Sequence, residues 1–168
     1  TGLMGHMESE KFLIAVSISA TFLTMIFWSF GFLRMGTVGL ISQALGKADY
    51  RELVYIILRN IIIAIFISLL IIVFKPLLIH VLGEIFETSV QTKNLIEDYI
   101  SIRVLSAPAE LVIYVLIGFY LGLQRTFISS LLIIILSLLN ILFSIYFVKE
   151  LNLNVTGVAL GTFIAAYL

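Results

Sequence analysis

Two charges and four neutral polar groups fall inside runs of apolar residues, where a polar group is expensive. Arg103 and Glu110 are the charges, seven residues apart within the stretch from Leu95 to Leu123. On a helix this spacing puts both on one face, about 10 Å apart along the axis, a backbone separation that predicts no direct pair. One charge at mid-bilayer costs about 2.5–3.5 kcal/mol on insertion scales, so residues of this kind mark pockets, relays or pairs. Pro108 stands between them. It removes one helical hydrogen bond and frees the carbonyl of Val104, which predicts a bend. A bent helix with a facing acid would serve as a pocket or gating element in an alternating-access device. Glu110 could equally pair with a basic residue of another helix. The neutral groups are Ser130, Ser137, Ser144 and Asn140, which at helical spacing share one face of the stretch from Phe127 to Val148. A buried amide without a partner is costly in hydrocarbon, so Asn140 is expected to meet a neighbouring helix or a wet cavity.

Other chemistry is thinly represented. His6 and His80 have no carboxylate at metal-ligand spacing and read as interface residues, so no metal is expected. No nucleophile elbow, phosphate loop or paired-histidine helix occurs in the chain, and enzyme activity is unsupported. Trp28 falls in the middle of a span and is expected to contact another helix. Arg34 is expected to act as a snorkelling anchor near a span's inner end.

These side chains must be held by elements that suit the composition, which is 61% hydrophobic and only 12% charged with a mean hydropathy of +1.18. Ordinary soluble domains carry about 25% charge, so water is not this chain's main solvent. Formal net charge is zero and the pI is near 6.6. No basic stripe is present to neutralise phosphates, which excludes a nucleic-acid partner. There are no cysteines, so disulfides and thiolate metal sites are excluded within this stretch.

A membrane helix needs about 20 mainly apolar residues to cross roughly 30 Å of hydrocarbon. Stretches 12–44, 53–79, 95–123 and 127–148 meet that length, and a fifth apolar run occupies 155–168. Strands are not expected, because runs such as Ile61 to Phe66 are continuous where barrel strands would alternate. The fold class is therefore all-α, a polytopic transmembrane helix bundle. Polar connectors are expected at Gly46 to Glu52, Gly83 to Asp98, Gln124 to Thr126 and Lys149 to Asn154. Links this short make successive helices antiparallel neighbours. The first and third connectors, with the adjoining helix ends, hold Arg34, Lys47, Arg51, Arg59 and Arg125. The second and fourth hold Glu84, Glu87, Glu97, Asp98 and Glu150. The positive-inside rule places the arginine-bearing side in the cytoplasm, although Lys11, Lys75, Lys93 and Lys149 weaken the contrast. Glycines four apart at Gly118/Gly122 and Gly157/Gly161, the latter row extended by Ala165, are expected to be packing faces. The chain opens without methionine and stops within an apolar run, so both ends are expected to be truncations.

Gly5-His6, the run from Phe30 to Gly46, Ser106-Ala107-Pro108-Ala109, Gly118 to Gln124, Asn140-Ile141-Leu142 and the run from Asn154 to Thr162 stand in this order along the chain. Together these stretches resemble the multidrug and toxic compound extrusion (MATE) family, in particular its DinF-like branch. The resemblance spans nearly the whole chain. It implies helices two to six of a twelve-helix transporter, a partial N-terminal lobe whose first helix and second lobe lie outside this chain. It also implies a multi-pass protein of the inner (plasma) membrane that exports amphipathic, often cationic drugs. A proton or sodium ion would move inward in exchange, with no other cofactor. The family's polar cation pocket maps here onto Asn140, Ser144 and Thr162. Many relatives carry Asp where this chain has Ser144, and the acid expected from the first helix would lie just before Thr1. Neutral oxygens can ligate sodium but cannot release a proton near neutral pH, so Glu110 is a candidate helper in proton coupling. Two other readings are a lipid-linked oligosaccharide flippase of the same superfamily and a non-transporting membrane scaffold. The flippase needs a strongly cationic cavity for pyrophosphate, and Arg103 is the only mid-span cation.

Overall fold

In hydrocarbon every backbone N–H needs an acceptor within its own segment, so long continuous apolar runs fold as helices. The computed structural model describes residues 10–85, 90–151 and 153–168, and every element in them is helical. In chain order these are α1 (Glu10–Ser29), α2 (Phe32–Gly46), α3 (Tyr50–Val73), α4 (Lys75–Ile85), α5 (Val90–Arg103), α6 (Ala107–Gly122), α7 (Thr126–Lys149) and α8 (Asn154–Tyr167). A single 3-10 turn, Val104–Ser106, joins α5 to α6. Four stretches are long and apolar enough to cross a bilayer: Val16–Gly46, Tyr50–Val73, Lys93–Gly122 and Thr126–Lys149. The shorter apolar stretch Val155–Tyr167 follows them. Gly5, His6 and Glu87 lie outside the described residues, as do the side chains of Lys11 and Glu84.

Two of the expected spans are interrupted where hydropathy alone shows nothing. The first breaks at Phe30 and Gly31, the second at Phe74. Pro76, at the second position of α4, is the local reason for the latter, since proline fits the first turn of a new helix but not the interior of an old one. The polar stretch expected as a connector before Asp98 is largely helical, because α5 begins at Val90. Its polar Lys93, Asn94, Glu97 and Asp98 are exposed while Ile96, Tyr99 and Ile100 are buried, so one face carries the polarity. Between α2 and α3, Asp49 Oδ1 accepts the Glu52 amide at 3.0 Å and starts α3.

Packing runs α2 on α3 and α6, α1 on α5, and α7 along α8, with α5 and its 3-10 turn touching α8. The main core gathers Leu23 and Phe27 of α1, Ile100 of α5, Leu111 and Val115 of α6, and Val155 and Ala159 of α8. A smaller cluster of Ile41, Ala44, Leu53 and Ile56, flanked by Phe119 and Leu123, brings the α2–α3 and α6–α7 connectors to the same end of the bundle. Lys47, Arg51 and Arg125 are exposed on those connectors.

The glycine rows are packing faces. A Cβ at Gly118 would lie 2.6 Å from the Arg34 carbonyl oxygen, and one at Gly122 would lie 2.7 Å from Ile41 Cβ. Gly161 would meet the Ser144 backbone nitrogen at 2.6 Å, and Gly157 the Phe147 carbonyl carbon at 3.1 Å. Close backbone approach is what holds membrane helices together when no hydrophobic effect operates between them. Trp28 is 77% exposed and turns away from the core that its neighbour Phe27 enters, so its expected helix contact is not made with the described helices. Arg34 is also exposed, on the first turn of α2.

A buried polar link joins α3 to α2. Asn60 Nδ2 on α3 donates to Thr37 Oγ1 on α2 at 2.9 Å, and Thr37 donates to the Leu33 carbonyl at 2.6 Å. Interhelical bonds of this type contribute about 0.6 kcal/mol on average in membranes. Asn60→Leu in the detergent-solubilised full-length protein should therefore lower thermal stability only modestly. A loss matching that of a core cavity would show the link carries more than the average.

Candidate functional site

Pro108 lacks an amide hydrogen, so a helix cannot run through it unbroken, and the chain answers with the Val104–Ser106 turn. The carbonyl of Val104, expected to be free, accepts the amide of Ala107 instead. Pro108 then sits in the first turn of α6, where its missing donor costs nothing. The break leaves Arg103 as the last residue of α5 and Glu110 in the first turn of α6. Each charge thus sits at the helix end whose dipole favours it.

Arg103 and Glu110 pair directly. Arg103 Nη1 donates to Glu110 Oε1 and to Ser106 Oγ. The axial separation that argued against a pair holds for the backbones, not the side chains. A helical side chain leans towards the N-terminus, which carries the Glu110 carboxylate back over the turn to meet the long arginine. Ser106 Oγ lies 3.0 Å from Glu110 Oε1 and 2.6 Å from the Arg103 carbonyl oxygen, so its one proton chooses between two acceptors. The guanidinium carbon stands 5.3 Å from the centre of the Phe27 ring on α1, within cation–π range. The side chains are only 14% and 18% exposed, so each charge depends on the other.

Glu110 has a second environment. With Tyr114 of α6, Ser137 and Asn140 of α7, and Thr162 of α8, it lines a cavity of about 380 Å³ whose remaining wall is Ile113, Leu136, Ile141, Ala165 and Ala166. Asn140 makes no hydrogen bond to another described residue, which leaves its amide to the cavity. Ser137 and Thr162 donate to carbonyls four residues back, Ile133 at 2.8 Å and Val158 at 3.1 Å, so their oxygens keep acceptor capacity. Among the described residues no lysine or arginine lines this space.

The structure thus brings together Glu110, Asn140 and Thr162, and ties Arg103 to them through Glu110. It sets Ser144 apart. Ser144 is buried one turn beyond Asn140, its Oγ lacks a partner, and its backbone lies against Gly161. Ser130 is exposed while its neighbour Ser129 is buried and donates to the Ile117 carbonyl at 3.2 Å, so the face shared by Ser130, Ser137, Asn140 and Ser144 is covered to different depths along α7. Pro108 lines a different, apolar cavity of about 450 Å³ between α6, α7 and α8, walled by residues such as Val112, Leu116, Ile135 and Leu139. Sequence reasoning missed Ser106 and Tyr114. Both lie four residues from Glu110, on the same helical face, and that spacing was the available signal.

The MatE family model matches residues 1–146. The chain is 33% identical over 167 residues to DNA damage-inducible protein F of Escherichia coli (strain K12), covering 99% of this chain and 36% of that protein. It is 25% identical over 162 residues to the multidrug export protein MepA of Staphylococcus haemolyticus (strain JCSC1435), covering 96% of this chain and 36% of that one. The crystal structure of MATE in complex with MaD3S superposes with a TM-score of 0.89 at 20% identity, over 99% of this chain and 37% of the other. An outward-facing multidrug resistance MATE family transporter gives 0.86 at 19% identity, over 95% and 35% respectively. The chain spans about 36% of the length of the curated relatives it matches. Relatives of this kind, together with four apolar helices of membrane length, make it a multi-pass protein of the inner membrane. A family model that matches residues 1–146 of 168, joined by one-third identity over nearly the whole chain, places this chain in the MatE (MATE) family.

Proposed function

We propose that this chain is the greater part of the N-terminal lobe of a twelve-helix antiporter that exports amphipathic or cationic drugs in exchange for inward H⁺ or Na⁺. The observation that carries this reading is the cavity in which Glu110, Asn140 and Thr162 meet, within a chain of the MatE family. Asn140 and Thr162 offer neutral oxygens to a coupling ion. Ser144, one turn away and outside the cavity lining, keeps a buried hydroxyl with no partner among the described residues. Glu110 is the carboxylate among the described residues that line this cavity. A cargo bearing pyrophosphate would need cations instead, and the lining offers a carboxylate, which favours the drug exporter over the flippase.

An ion shifts the balance between inward-open and outward-open states only by binding one of them better. Its site must therefore change shape, and the broken α5–α6 stretch beside the cavity is an element able to do so. The second lobe of the same protein would complete the drug path, with the lipid bilayer as the surrounding partner.

The test uses the full-length protein in efflux-deficient cells and in proteoliposomes. Asn140→Ala and Thr162→Ala should each lower drug export about tenfold at equal membrane abundance, the loss of roughly one good ligand interaction. Export in liposomes should require an imposed proton or sodium gradient. Wild-type protein that moves no drug under either gradient would remove this reading in favour of a scaffold. Asn140→Ala with undiminished export would move the ion site elsewhere.

A further inference from the structure

Nothing in the ion-coupling reading requires Glu110 to be held by an arginine, yet it is. We infer that the Glu110 carboxylate is the recognition group for the cationic head of an organic cargo, and that Arg103 is a built-in competitor occupying it when no cargo is bound. This rests on the proposed drug-export function and adds the residue that selects for charge.

The first observation is the chemistry of the wall. Glu110 opens onto a cavity of about 380 Å³, within the usual range for small-molecule sites, where its neighbours are the Tyr114 ring, two hydroxyls, one amide and apolar side chains. A carboxylate beside an aromatic ring, in a wall whose other polar groups are neutral, is complementary to a bulky organic cation. Among the described residues that line it there is no lysine or arginine to meet an anion.

The second observation is that the carboxylate is already taken. Arg103 and Ser106 both bond Glu110 Oε1, so the empty cavity presents an ion pair rather than a bare charge. A bare carboxylate in this setting would be costly, and the pair removes that cost at rest. Arg103 is also equipped to let go. It lies over the Phe27 ring, and it ends α5, where the helix carbonyls favour a cation. An incoming cation replaces the guanidinium on Glu110, and the guanidinium keeps two other stabilising neighbours. A neutral molecule cannot make that exchange, so the pair discriminates between cargoes of similar shape.

The experiment compares binding of tetraphenylphosphonium with that of neutral triphenylphosphine oxide, both measured calorimetrically on the full-length protein in nanodiscs. Glu110→Gln keeps a hydrogen-bond acceptor for Arg103 but removes the charge. It should weaken tetraphenylphosphonium at least about tenfold more than the neutral compound, the scale of one lost charged hydrogen bond. Glu110→Asp should recover part of the difference. Because Glu110→Gln also leaves Arg103 uncompensated, the pair variant Arg103→Met/Glu110→Leu separates the causes. Recognition by Glu110 predicts that it too binds the cation poorly, whereas simple repulsion by arginine predicts wild-type affinity. Equal losses for both compounds in Glu110→Gln, or restored cation binding in the pair variant, overturn the inference and leave the export function standing. Wild-type protein that binds neither compound removes the function and the inference together.

Discussion

Gly118→Ala should sharply reduce the stability of the full-length protein, whereas Gly36→Ala should not. The two glycines are both helical, so both substitutions gain the same intrinsic helix propensity, about 1 kcal/mol. They differ in what a methyl group would strike. Nothing lies within 4 Å of a Cβ at Gly36, which faces outward from α2. At Gly118 the Cβ would stand 2.6 Å from the Arg34 carbonyl oxygen, 3.2 Å from Arg34 Cα and 2.9 Å from Thr37 Cβ. Two of these three atoms are backbone, so the clash cannot be relieved by a rotamer change. The α2–α6 interface has to open. Overpacking of this kind costs about 1–3 kcal/mol, which outweighs the propensity gain. Melting of the two detergent-solubilised variants, followed by size-exclusion chromatography after heating, should separate them clearly. A Gly118→Ala protein that melts with wild type would mean the two helices do not approach as described.

How much of this could be read before the fold was known depends on the range of the interaction. The glycine rows were legible because a helix repeats nearly every four residues, so Gly118/Gly122 and Gly157/Gly161 must each share a face whatever lies opposite. Asn140 was legible for a similar reason, since hydrocarbon tolerates few orphan amides. The break at Phe30–Gly31 was not, because hydropathy averages over the interruption, whereas the break at Phe74 had its signal in Pro76, which a hydropathy reading passes over. How deeply each residue of the serine face of α7 is buried was not legible, for a tertiary reason. α7 meets α6 near its start and α8 near its end, so different sides are covered at different heights, burying Ser129 but exposing Ser130. Ser144 shows the same limit. Its position relative to Asn140 followed from helical spacing, but its separation from the cavity is set by Gly161 on another helix. The Arg103–Glu110 contact was missed by counting backbone rise and leaving out side-chain reach and direction.

That contact carries the other large effect. Arg103→Met should cost more stability than removing both charges at once. Breaking a buried ion pair by deleting one partner typically costs about 3–5 kcal/mol, because the remaining charge stays desolvated and unpaired. Glu110 opens onto a cavity and is 18% exposed, so the cost should fall towards the low end of that range. Ser106 alone cannot replace a guanidinium, since its single proton already has a second acceptor in the Arg103 carbonyl. The pair variant Arg103→Met/Glu110→Leu leaves no charge behind. Well-packed apolar substitutes for a buried pair are often neutral or better, so it should melt near wild type. A non-additive cycle with a coupling of at least about 2 kcal/mol is the expected signature of residues in direct contact, well above the scatter of distant sites. Simple addition of the two single-variant losses would mean that the charges act independently, each satisfied by something other than its partner. The rise and fall of stability across the cycle thus measures whether the pair is a closed unit at rest, which it must be for Glu110 to be held in reserve beside Asn140 and Thr162.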